Sequence, residues 1–343
     1  MYRIDNSTNV GSRPTPAAPG SAGYFTQGDP TTGVGGTILD ADWANAVQEE
    51  LIAVVLAAGL SPSKTALNQL LTAIQTLGRV KLTAATTFYV NASTGSDSNT
   101  GLDSGHAWQT IQHAINVLAT DYDLNGQTVT IQLADGTYGS FQVWGKFLGQ
   151  SQAAAQVIIN GNAGAPSNVL ISSSTTTISA RAHAAFRLQN LKVASTDGTG
   201  ATSCVSSQEA AIIEIGTGFV MGANSPNGQH FNVDIGGIID IIANYQIAGA
   251  AGSHYWGGNN GNIIVESGLT ITITGSPSFS GAFAWISRGT GLDLRNGSQN
   301  FTGSMTGQRY FVSSNGVISV YGMGPNVLPG SIAGATSTGG EYN

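Results

Sequence analysis

Two carboxylates at a regular spacing are the residues best suited to catalysis. Glu214 and Asp240 lie 26 residues apart, each among isoleucines, in the segments AIIEIGTG and GIIDIIAN. Glycoside hydrolysis needs two carboxyl groups, close together for retention of configuration and farther apart for inversion, which admits a water. On neighbouring strands of a stack their backbones would be about 4.8 Å apart, which suits an acid and a nucleophile.

The same two residues also have a purely structural explanation. In an alternating strand, the position between two core isoleucines faces solvent, where a carboxylate keeps the surface hydrated. Aligned repeats continue this column with Val265, Asp293 and Ser319, a mixture that favours the structural explanation. We therefore expect a protein that is not an enzyme, with a polysaccharide depolymerase, a glycoside hydrolase or lyase, as the alternative.

A loop rich in aromatic and amide groups suggests binding of carbohydrate. The segment from His254 to Gly261 reads HYWGGNNG, and further aromatic and arginine side chains follow on the next repeats. Aromatic faces and amide or hydroxyl hydrogen bonds are the groups that hold sugars. An aromatic on a turn can equally be core or a subunit contact, so both explanations stay open. The candidate glycan-binding residues are His254, Tyr255, Trp256, Asn259, Asn260, Trp285, Arg288, Arg309 and Tyr310.

Metal-binding patterns are weak in this chain. The five histidines show no HxH or HExxH spacing, but His230 and His254 occupy equivalent positions of successive repeats. Two interpretations of this histidine pair stay open: a metal site, or a pair of rings stacked on the surface. The loop at 96–106 lacks the glutamate that a calcium loop uses at its twelfth position, and Asp121 with Asp123 suits a turn as well as calcium or sugar chemistry. We expect no metal and no cofactor.

These residues lie on a degenerate repeat that predicts the fold. Short apolar strands return around Ile213, Ile239, Ile264, Leu292 and Ile318, at spacings of 26, 25, 28 and 26 residues. A glycine followed by an aromatic or long polar group precedes four of them, in the same phase. Such a period predicts a stacked architecture, and strands this short predict a parallel β-helix. A β-sandwich with regular strand spacing is the alternative.

Composition excludes several classes of protein. Only 9% of the 343 residues are charged, and a net charge of -7 with 12 Lys and Arg argues against nucleic-acid binding. No apolar run approaches the ~20 residues of a membrane span, so we expect no membrane insertion. The start, MYRIDNSTNV, lacks a secretory signal pattern, which indicates synthesis in a cytoplasm. The single Cys204 excludes an internal disulfide and is expected to be buried.

The N-terminal part predicts a loop followed by a helical hairpin. Residues 1–37 have no sustained periodicity, but Tyr2, Ile4, Tyr24 and Phe25 offer apolar anchors, so a partner is expected to hold them. One helix, which Asp40 or Asp42 can cap and Gly59 can end, should run from about Trp43 to Ala58. A second should start at Pro62 and end before Gly78. Its continuous apolar stripe fits packing between subunits, and ordinary hairpin packing is the alternative. The stripe comprises Leu67, Leu70, Leu71, Ile74 and Leu77.

The next block predicts a strand and a helix that covers the open end of the stack. The strand is expected at 87–91 and the helix at 107–119, with Trp108, Ile111, Ile115 and Leu118 on one side. Such a helix would shield unpaired strand edges from other chains. The first full coil should begin at residue 129, and residues 323–343 lose the pattern and are expected to form an extended tail.

Several segments resemble bacteriophage tail fibre and tailspike proteins. The stretch GYFTQGDPTTGVGGTILDADWANAVQEELIAVVLAAGLSPSKTALNQLLTAI is similar to their attachment regions. The block FYVNASTGSDSNTGLDSGHAWQTIQHAINVL, followed by VTIQLADGTY, resembles the start of the right-handed parallel β-helix found in many of them. The closing PGSIAGATSTGGEYN is similar to C-termini of phage tail proteins. Together these segments cover about half of the chain, and none contains a catalytic signature.

The resemblance implies a homotrimer in a virion, attached through its N-terminal region to phage baseplate or tail proteins and contacting host surface polysaccharide. It implies four parts: attachment region 1–82, first strand and cap helix 83–128, β-helix 129–322 and tail 323–343. Trimerisation would explain the apolar residues of the first part. The candidates for particle attachment or trimer contact are Tyr2, Ile4, Tyr24, Phe25, Trp43, Val47, Leu67, Leu71 and Ile74.

Overall fold

A computed structural model describes residues 2–151 and 153–343 of the chain. The contacts divide the chain after Val80 into two compact units, an N-terminal helical unit and a C-terminal unit from Lys81 to Asn343. Two α-helices lie in the first unit and one in the second. None of the helices in the described ranges is both long enough and apolar enough to cross a membrane.

The N-terminal unit contains the predicted hairpin. Helix α1 spans Ala41–Ala57, and the Asp40 side chain caps it by accepting a hydrogen bond from the Trp43 backbone N–H at 2.8 Å. Asp40 was one of two aspartates predicted for this cap. Helix α2 spans Gln69–Leu77.

The start of α2 differs from the sequence prediction of Pro62. The Gln69 side chain accepts from the backbone N–H of Ser63 at 2.8 Å and donates to the carbonyl of Ser61 at 2.7 Å. The bond to Ser61 favours a loop before α2, because it occupies the carbonyl that would accept the first hydrogen bond of a helix beginning at Pro62. Leu67 therefore lies outside the helix and is 96% exposed, not part of a helical stripe.

Side-chain bonds hold the first residues against the hairpin within this unit. Arg3 makes two bonds to the Glu49 carboxylate, at 2.6 and 2.8 Å. Lys64 binds the Asp5 carboxylate at 2.7 Å. The first residues are thus held by ion pairs and a hydrogen bond, whereas the apolar side chains of Tyr2 and Ile4 stay exposed.

The C-terminal unit is a parallel β-solenoid of three sheets, which we name A, B and C. Along most of the stack the chain visits A, then B, then C, and then returns to A one coil further on. Sheet A contains Thr86–Val90, Val129–Leu133, Val157–Asn160, Ala185–Gln189, Ile212–Ile215, Ile238–Ile241, Asn262–Val265, Gly291–Leu294, Val317–Ser319 and Glu341–Tyr342. Sheet B contains Gly136–Tyr138, Val169–Ser173, Lys192–Ser195, Phe219–Met221, Tyr245–Ile247, Thr270–Ile273 and Asn300–Thr302. Sheet C contains Phe141–Trp144, Ile178–Arg181, Ser203–Ser207, Gln229–Val233, Ser253–Gly257, Ser278–Ile286, Thr306–Val312 and Ala335–Thr336.

Neighbouring strands of these sheets pair in parallel, which confirms the predicted parallel β-helix and contradicts a β-sandwich. In sheet A, for example, Ile213 pairs with Ile239 and Glu214 with Asp240. Among the described residues, four short 3-10 helices and two further short strands lie outside these sheets. The 3-10 helices are Ser104–His106, Ala154–Gln156, Pro166–Asn168 and Arg295–Gly297, and the strands are Val80–Lys81 and Tyr122–Asp123.

The register corrects one copy of the repeat. Ile239 pairs with Ile263, not with Ile264, so the spacings in sheet A are 26, 24, 29 and 26. Because side chains alternate with period two, this slip of one residue exchanges the faces of two side chains. Val265 is fully buried in the core. Ile264, not Val265, lies in the column of Glu214 and Asp240.

From the strand Ile178–Arg181 onward, the turn from sheet C to sheet A repeats with the same geometry, whereas the first connection, from Phe141 to Val157, is longer. Eight residues separate the core position of sheet C from that of sheet A, as from Val205 to Ile213 and from Phe231 to Ile239. Each of these turns contains two consecutive residues with positive φ. The pairs are 182–183, 209–210, 235–236, 259–260, 288–289, 314–315 and 338–339. Backbone hydrogen bonds join successive turns, as from Ala210 to Ile235.

Helix α3, Ile111–Asp121, contributes to the core at the N-terminal end of the solenoid. Thr110 caps it, and Ile111, Ile115 and Leu118 are buried, as predicted. Trp108 lies before the helix, not on it, because its backbone pairs with Val90 and its indole N–H donates to the Asn99 carbonyl at 2.8 Å. The predicted start at 107 was therefore four residues too early.

Gln112 on α3 occupies the free edge of sheet C. Its amide donates to the Gln142 carbonyl at 3.1 Å and accepts from the Gln142 backbone N–H at 2.7 Å. A side-chain amide thus replaces the neighbouring strand that this edge lacks, which fits the predicted role of the helix as a cover.

The C-terminal residues are not an extended tail. Ala335–Thr336 pairs with sheet C and Glu341–Tyr342 with sheet A, so they add a final coil. Leu328, between the last two coils, is fully buried, and the Tyr342 ring stacks on Tyr310 with ring centroids 3.9 Å apart. The segment was predicted as a tail because strands of only two residues, in a glycine-rich and polar sequence, give no recognisable apolar pattern.

Candidate functional site

Three aromatic side chains on successive coils occupy one column on the outer face of sheet C. Trp256 pairs with Trp285, and Trp285 pairs with Phe311. We call these three residues the aromatic ladder. Parallel pairing produces it, because equivalent positions of neighbouring coils stack at the strand spacing of about 4.8 Å.

The ladder is open to solvent and partly held by its own contacts. Trp285 is 37% exposed, and Trp256 and Phe311 are half-buried. The rings of Trp285 and Phe311 pack with centroids 4.9 Å apart and planes tilted by 54°. Packing of this kind limits ring motion and leaves an apolar column of three rings.

Polar groups border the ladder on the side of the C-to-A turn. The Asp234 carboxylate accepts from the Asn259 side chain at 2.7 Å. Asn259, Asn260 and Arg288 are exposed and have positive φ, because they lie in the repeated turns. Gly258 lets the Trp256 ring lie close to the backbone, since a Cβ at this position would be only 3.2 Å from the ring.

Asn232 continues the column one coil before Trp256. Its side-chain N–H donates to the Ser203 hydroxyl at 3.0 Å. Its Oδ1 atom is buried and has no hydrogen-bond partner among the described residues. The column therefore ends in an amide with unused acceptor capacity.

Four of the candidate glycan contacts do not belong to this surface. His254 and Tyr255 are fully buried and Tyr310 is nearly so, because these positions point into the solenoid interior. Arg309 is half-buried and donates to the Ile332 carbonyl at 3.5 Å. Trp256, Asn259, Asn260, Trp285 and Arg288 remain accessible.

His230 and His254 are neighbours, as their equivalent positions predicted, but they lie in the core and not on the surface. Their Nδ1 atoms are 2.9 Å apart. Burial lowers the pKa of His230 to about 3 and holds the pKa of His254 well below its usual value. Both rings are therefore neutral at pH 7.

Glu214 and Asp240 are adjacent on the outer face of sheet A, as predicted. Arg187, one coil earlier, binds the Glu214 carboxylate through two nitrogens at 2.7 and 2.8 Å. Burial, and to a lesser degree the negative charge of Glu266, raise the pKa of Asp240 to about 6 against the opposing effect of Arg295. The pair thus consists of an ion-paired carboxylate and a carboxyl group that holds its proton more tightly.

The acidic turns have structural partners. Asp97 accepts from the backbone N–H groups of Gln109 and Thr110, and Asp103 accepts from those of Gly105 and His106. Over the described ranges, no group of three His, Cys, Asp or Glu side chains is placed to hold a metal ion.

The candidate attachment residues are accessible in the N-terminal unit. Phe25 packs edge-on against Trp43 with ring centroids 5.2 Å apart. Each of the nine is at least 37% exposed: Tyr2, Ile4, Tyr24, Phe25, Trp43, Val47, Leu67, Leu71 and Ile74.

The sequence prediction missed Phe311, Asn232 and Asp234 as members of the site. A correct alignment of sheet C would have found Phe311 and Asn232, because both share the column of Trp256 and Trp285. Asp234 carries no sequence signal of its own and is recognised only by its bond to Asn259.

Comparison with known proteins gives a partial similarity. The chain is 43% identical over 77 residues to the uncharacterized protein StfP of Escherichia coli (strain K12). The match covers 22% of this chain and 35% of that relative, so it concerns a limited part of each. No family model matches the chain, and no solved structure matches it.

Proposed function

We propose that this protein is a subunit of a phage tail fibre or short tailspike that binds polysaccharide of the host cell surface. The observation that carries the proposal is the aromatic ladder on the outer face of sheet C. A parallel β-solenoid fits a fibre or adhesin, because stacked coils give a stiff surface with regularly spaced side chains.

The ladder suits the chemistry of sugar rings. The face of an indole or phenyl ring carries partial negative charge, which attracts the C–H bonds on the apolar face of a pyranose. Asp234, Asn259, Asn260 and Arg288 border the rings and supply both donors and acceptors for hydroxyl groups. Rings on consecutive coils would bind consecutive units of a linear glycan lying along the stack.

The N-terminal unit is proposed to attach the protein to baseplate or tail proteins and to join three copies of the chain. Its apolar side chains support this, since a contiguous exposed apolar surface commonly marks an interaction site. Synthesis in the host cytoplasm and assembly into the virion follow from the same proposal.

Binding of the full-length protein to purified host surface polysaccharide tests the site. Trp285→Ala should weaken binding about tenfold or more, because it removes the central ring of the ladder. Trp144→Ala is the matched control, since Trp144 is an exposed tryptophan of sheet C far along the stack from the ladder. Equal affinity of Trp285→Ala and the unaltered protein would refute the assignment.

A depolymerase is the second candidate, favoured by the contrast between Glu214 and Asp240. A carboxyl group with a raised pKa beside an ionised one is the arrangement of an acid and a nucleophile. In the same binding assay, new reducing ends or unsaturated sugars would reveal cleavage. Loss of those products in Glu214→Gln and in Asp240→Asn would assign the activity to this pair.

A further inference from the structure

Four polar aromatic side chains form a hydrogen-bonded chain inside the solenoid, which the proposed binding site does not use. The hydroxyls of Tyr255 and Tyr245 are 2.6 Å apart, and the Tyr245 hydroxyl is 2.6 Å from His254 Nε2. His254 Nδ1 is 2.9 Å from His230 Nδ1. All four side chains are buried.

The bonds permit two directions of donation, and the end at His230 distinguishes them. If Tyr255 donates to Tyr245 and Tyr245 to His254 Nε2, then His254 donates from Nδ1, and His230 carries its hydrogen on Nε2. In the reverse direction His230 Nε2 would be a bare lone pair. The backbone of Ala250 and Gly222 acts on this ring as an acceptor. The first direction is therefore favoured, although Nε2 has no partner at good hydrogen-bond geometry within the described residues.

The surroundings of the two imidazoles are apolar. The rings of Phe231, Phe279 and Phe283 pack against them. The Cys204 thiol occupies the equivalent position one coil before His230, and burial raises its pKa, so it is neutral. Tyr245 and Tyr255 also have raised pKa values because of burial. The contacts of the two imidazole rings described above include no charged side chain. An imidazolium at either position would therefore lack a counter-ion.

We infer that the row of hydrogen bonds is donated from Tyr255 through Tyr245 and His254 to His230. We further infer that the coils containing these four residues open when acid protonates the histidines. The segment from Gln229 to Gly257 is then an acid-sensitive part of an otherwise uniform stack. The four side chains thus form a pH-sensitive switch, because all of their hydrogen bonds can form only while both imidazoles are neutral.

The direction of the pH dependence follows from the lowered pKa values. An opened or unfolded histidine takes up a proton below about pH 6.5. The native His230 does so only near pH 3. Stability from the pair is therefore complete above pH 6.5 and is lost as the pH falls toward 3. Each histidine increases the opening equilibrium by up to about tenfold per pH unit, so the two together give up to about a hundredfold.

Opening would reach the outer face of the same strands. Trp256 lies two residues after His254, and Asn232 lies two residues after His230. Disruption of the ladder in acid would also abolish glycan binding, and that consequence alone rests on the proposed function.

Nitrogen-15 NMR of histidine-labelled protein tests the hydrogen-bond direction without any substitution. At pH 6 the shifts should show His254 protonated on Nδ1 and His230 protonated on Nε2, both neutral. Assignments would come from His230→Phe and His254→Phe, since Phe283 already occupies this column and stacks on His254. The opposite tautomers, or an imidazolium at either position, would overturn the inference.

Hydrogen exchange, expressed as protection factors at pH 7 and pH 5, tests the acid sensitivity. Peptides from 229–257 should lose at least tenfold in protection at pH 5, whereas peptides from 157–195 should change little. The double variant His230→Phe/His254→Phe should abolish this difference, and His183→Asn, an exposed histidine, should leave it unchanged. Equal loss of protection in both segments would contradict the switch, and glycan binding measured at pH 7 reports separately on the proposed function.

Discussion

Glu214 and Asp240 lie side by side on sheet A, yet their carboxyl groups have different surroundings. Glu214 is ion-paired with Arg187, whereas one oxygen of Asp240 is buried and unpartnered within the described residues. The pKa of Asp240 rises chiefly because burial disfavours its charged form. Two residues of one column thus affect stability with opposite sign.

We predict that Asp240→Asn stabilises the protein at pH 8. A raised carboxyl pKa means that stability is lost as the pH rises from 3.8 through about 6. Because the group is partly solvated, we expect a gain of about 1 kcal/mol at pH 8 and almost none at pH 4. Urea unfolding at the two pH values measures the difference.

Glu214→Gln is the contrasting control for this prediction. It should lower stability by about 1–2 kcal/mol at pH 8, because it leaves the Arg187 guanidinium without its carboxylate. A gain in stability from Glu214→Gln, or a loss from Asp240→Asn, would show that the surroundings of the two groups are misassigned.

The sequence predicted which side chains are neighbours only where it also predicted the register between strands. The neighbours Glu214 and Asp240, and His230 and His254, were predicted because 26 and 24 residues separate them in recognisable copies. The burial of both His254 and Tyr255 was not predicted. It requires the side chains of two consecutive residues to point into the interior, which happens here near a corner of the solenoid. Period-two alternation alone places one of them outside.

At the scale of elements, the repeated C-to-A turn is the most regular structure in the solenoid. Its two positive-φ positions accept asparagine and glycine readily, as at 259–260 and 236. Ile235 and Thr338 are β-branched residues at such positions, with φ of 48° and 44°, which strains the backbone, and the Ile235 side chain is 52% exposed.

We predict that Ile235→Asn stabilises the protein by about 1 kcal/mol, because it relieves this strain and exposes less apolar surface. The rise in the midpoint of thermal unfolding measures the effect. Asn259→Gly, at the equivalent position of the next coil, should change stability by only a few tenths of a kcal/mol. A destabilised Ile235→Asn protein would mean that the isoleucine has a packing role.

Helices and long strands were predicted more accurately than the ends of elements. Helix α1 was found to within two residues because Asp40 and Gly59 mark it clearly. The start of α2 was wrong because Pro62 is a good first helical residue, and the competing bonds of Gln69 depend on tertiary structure. The last coil was missed because its two-residue strands carry no periodicity.

At the scale of the whole molecule, the exposed apolar residues of the N-terminal unit support the proposed trimer. We predict that the full chain sediments as a trimer and that Trp43→Glu/Leu71→Glu gives monomers, because charges in an apolar interface are strongly unfavourable. Sedimentation velocity at micromolar concentration distinguishes the two states.

Ile235→Glu is the control for the assembly, because Ile235 is an exposed apolar residue of the solenoid. It should leave the trimer intact. A monomeric unaltered protein, or dissociation by Ile235→Glu instead, would contradict the role given to the N-terminal unit.

The corners of the solenoid differ in how they accommodate changes in length. From Ile178 onward the path from sheet C to sheet A keeps eight residues, whereas that from sheet B to sheet C varies from five, between Gly136 and Phe141, to fourteen, between Leu191 and Val205. Insertions and deletions during evolution can therefore accumulate at the B-to-C corner without shifting the ladder or the acidic column. The same corner, near residues 274–278, is where a foreign peptide could be inserted for display on the solenoid.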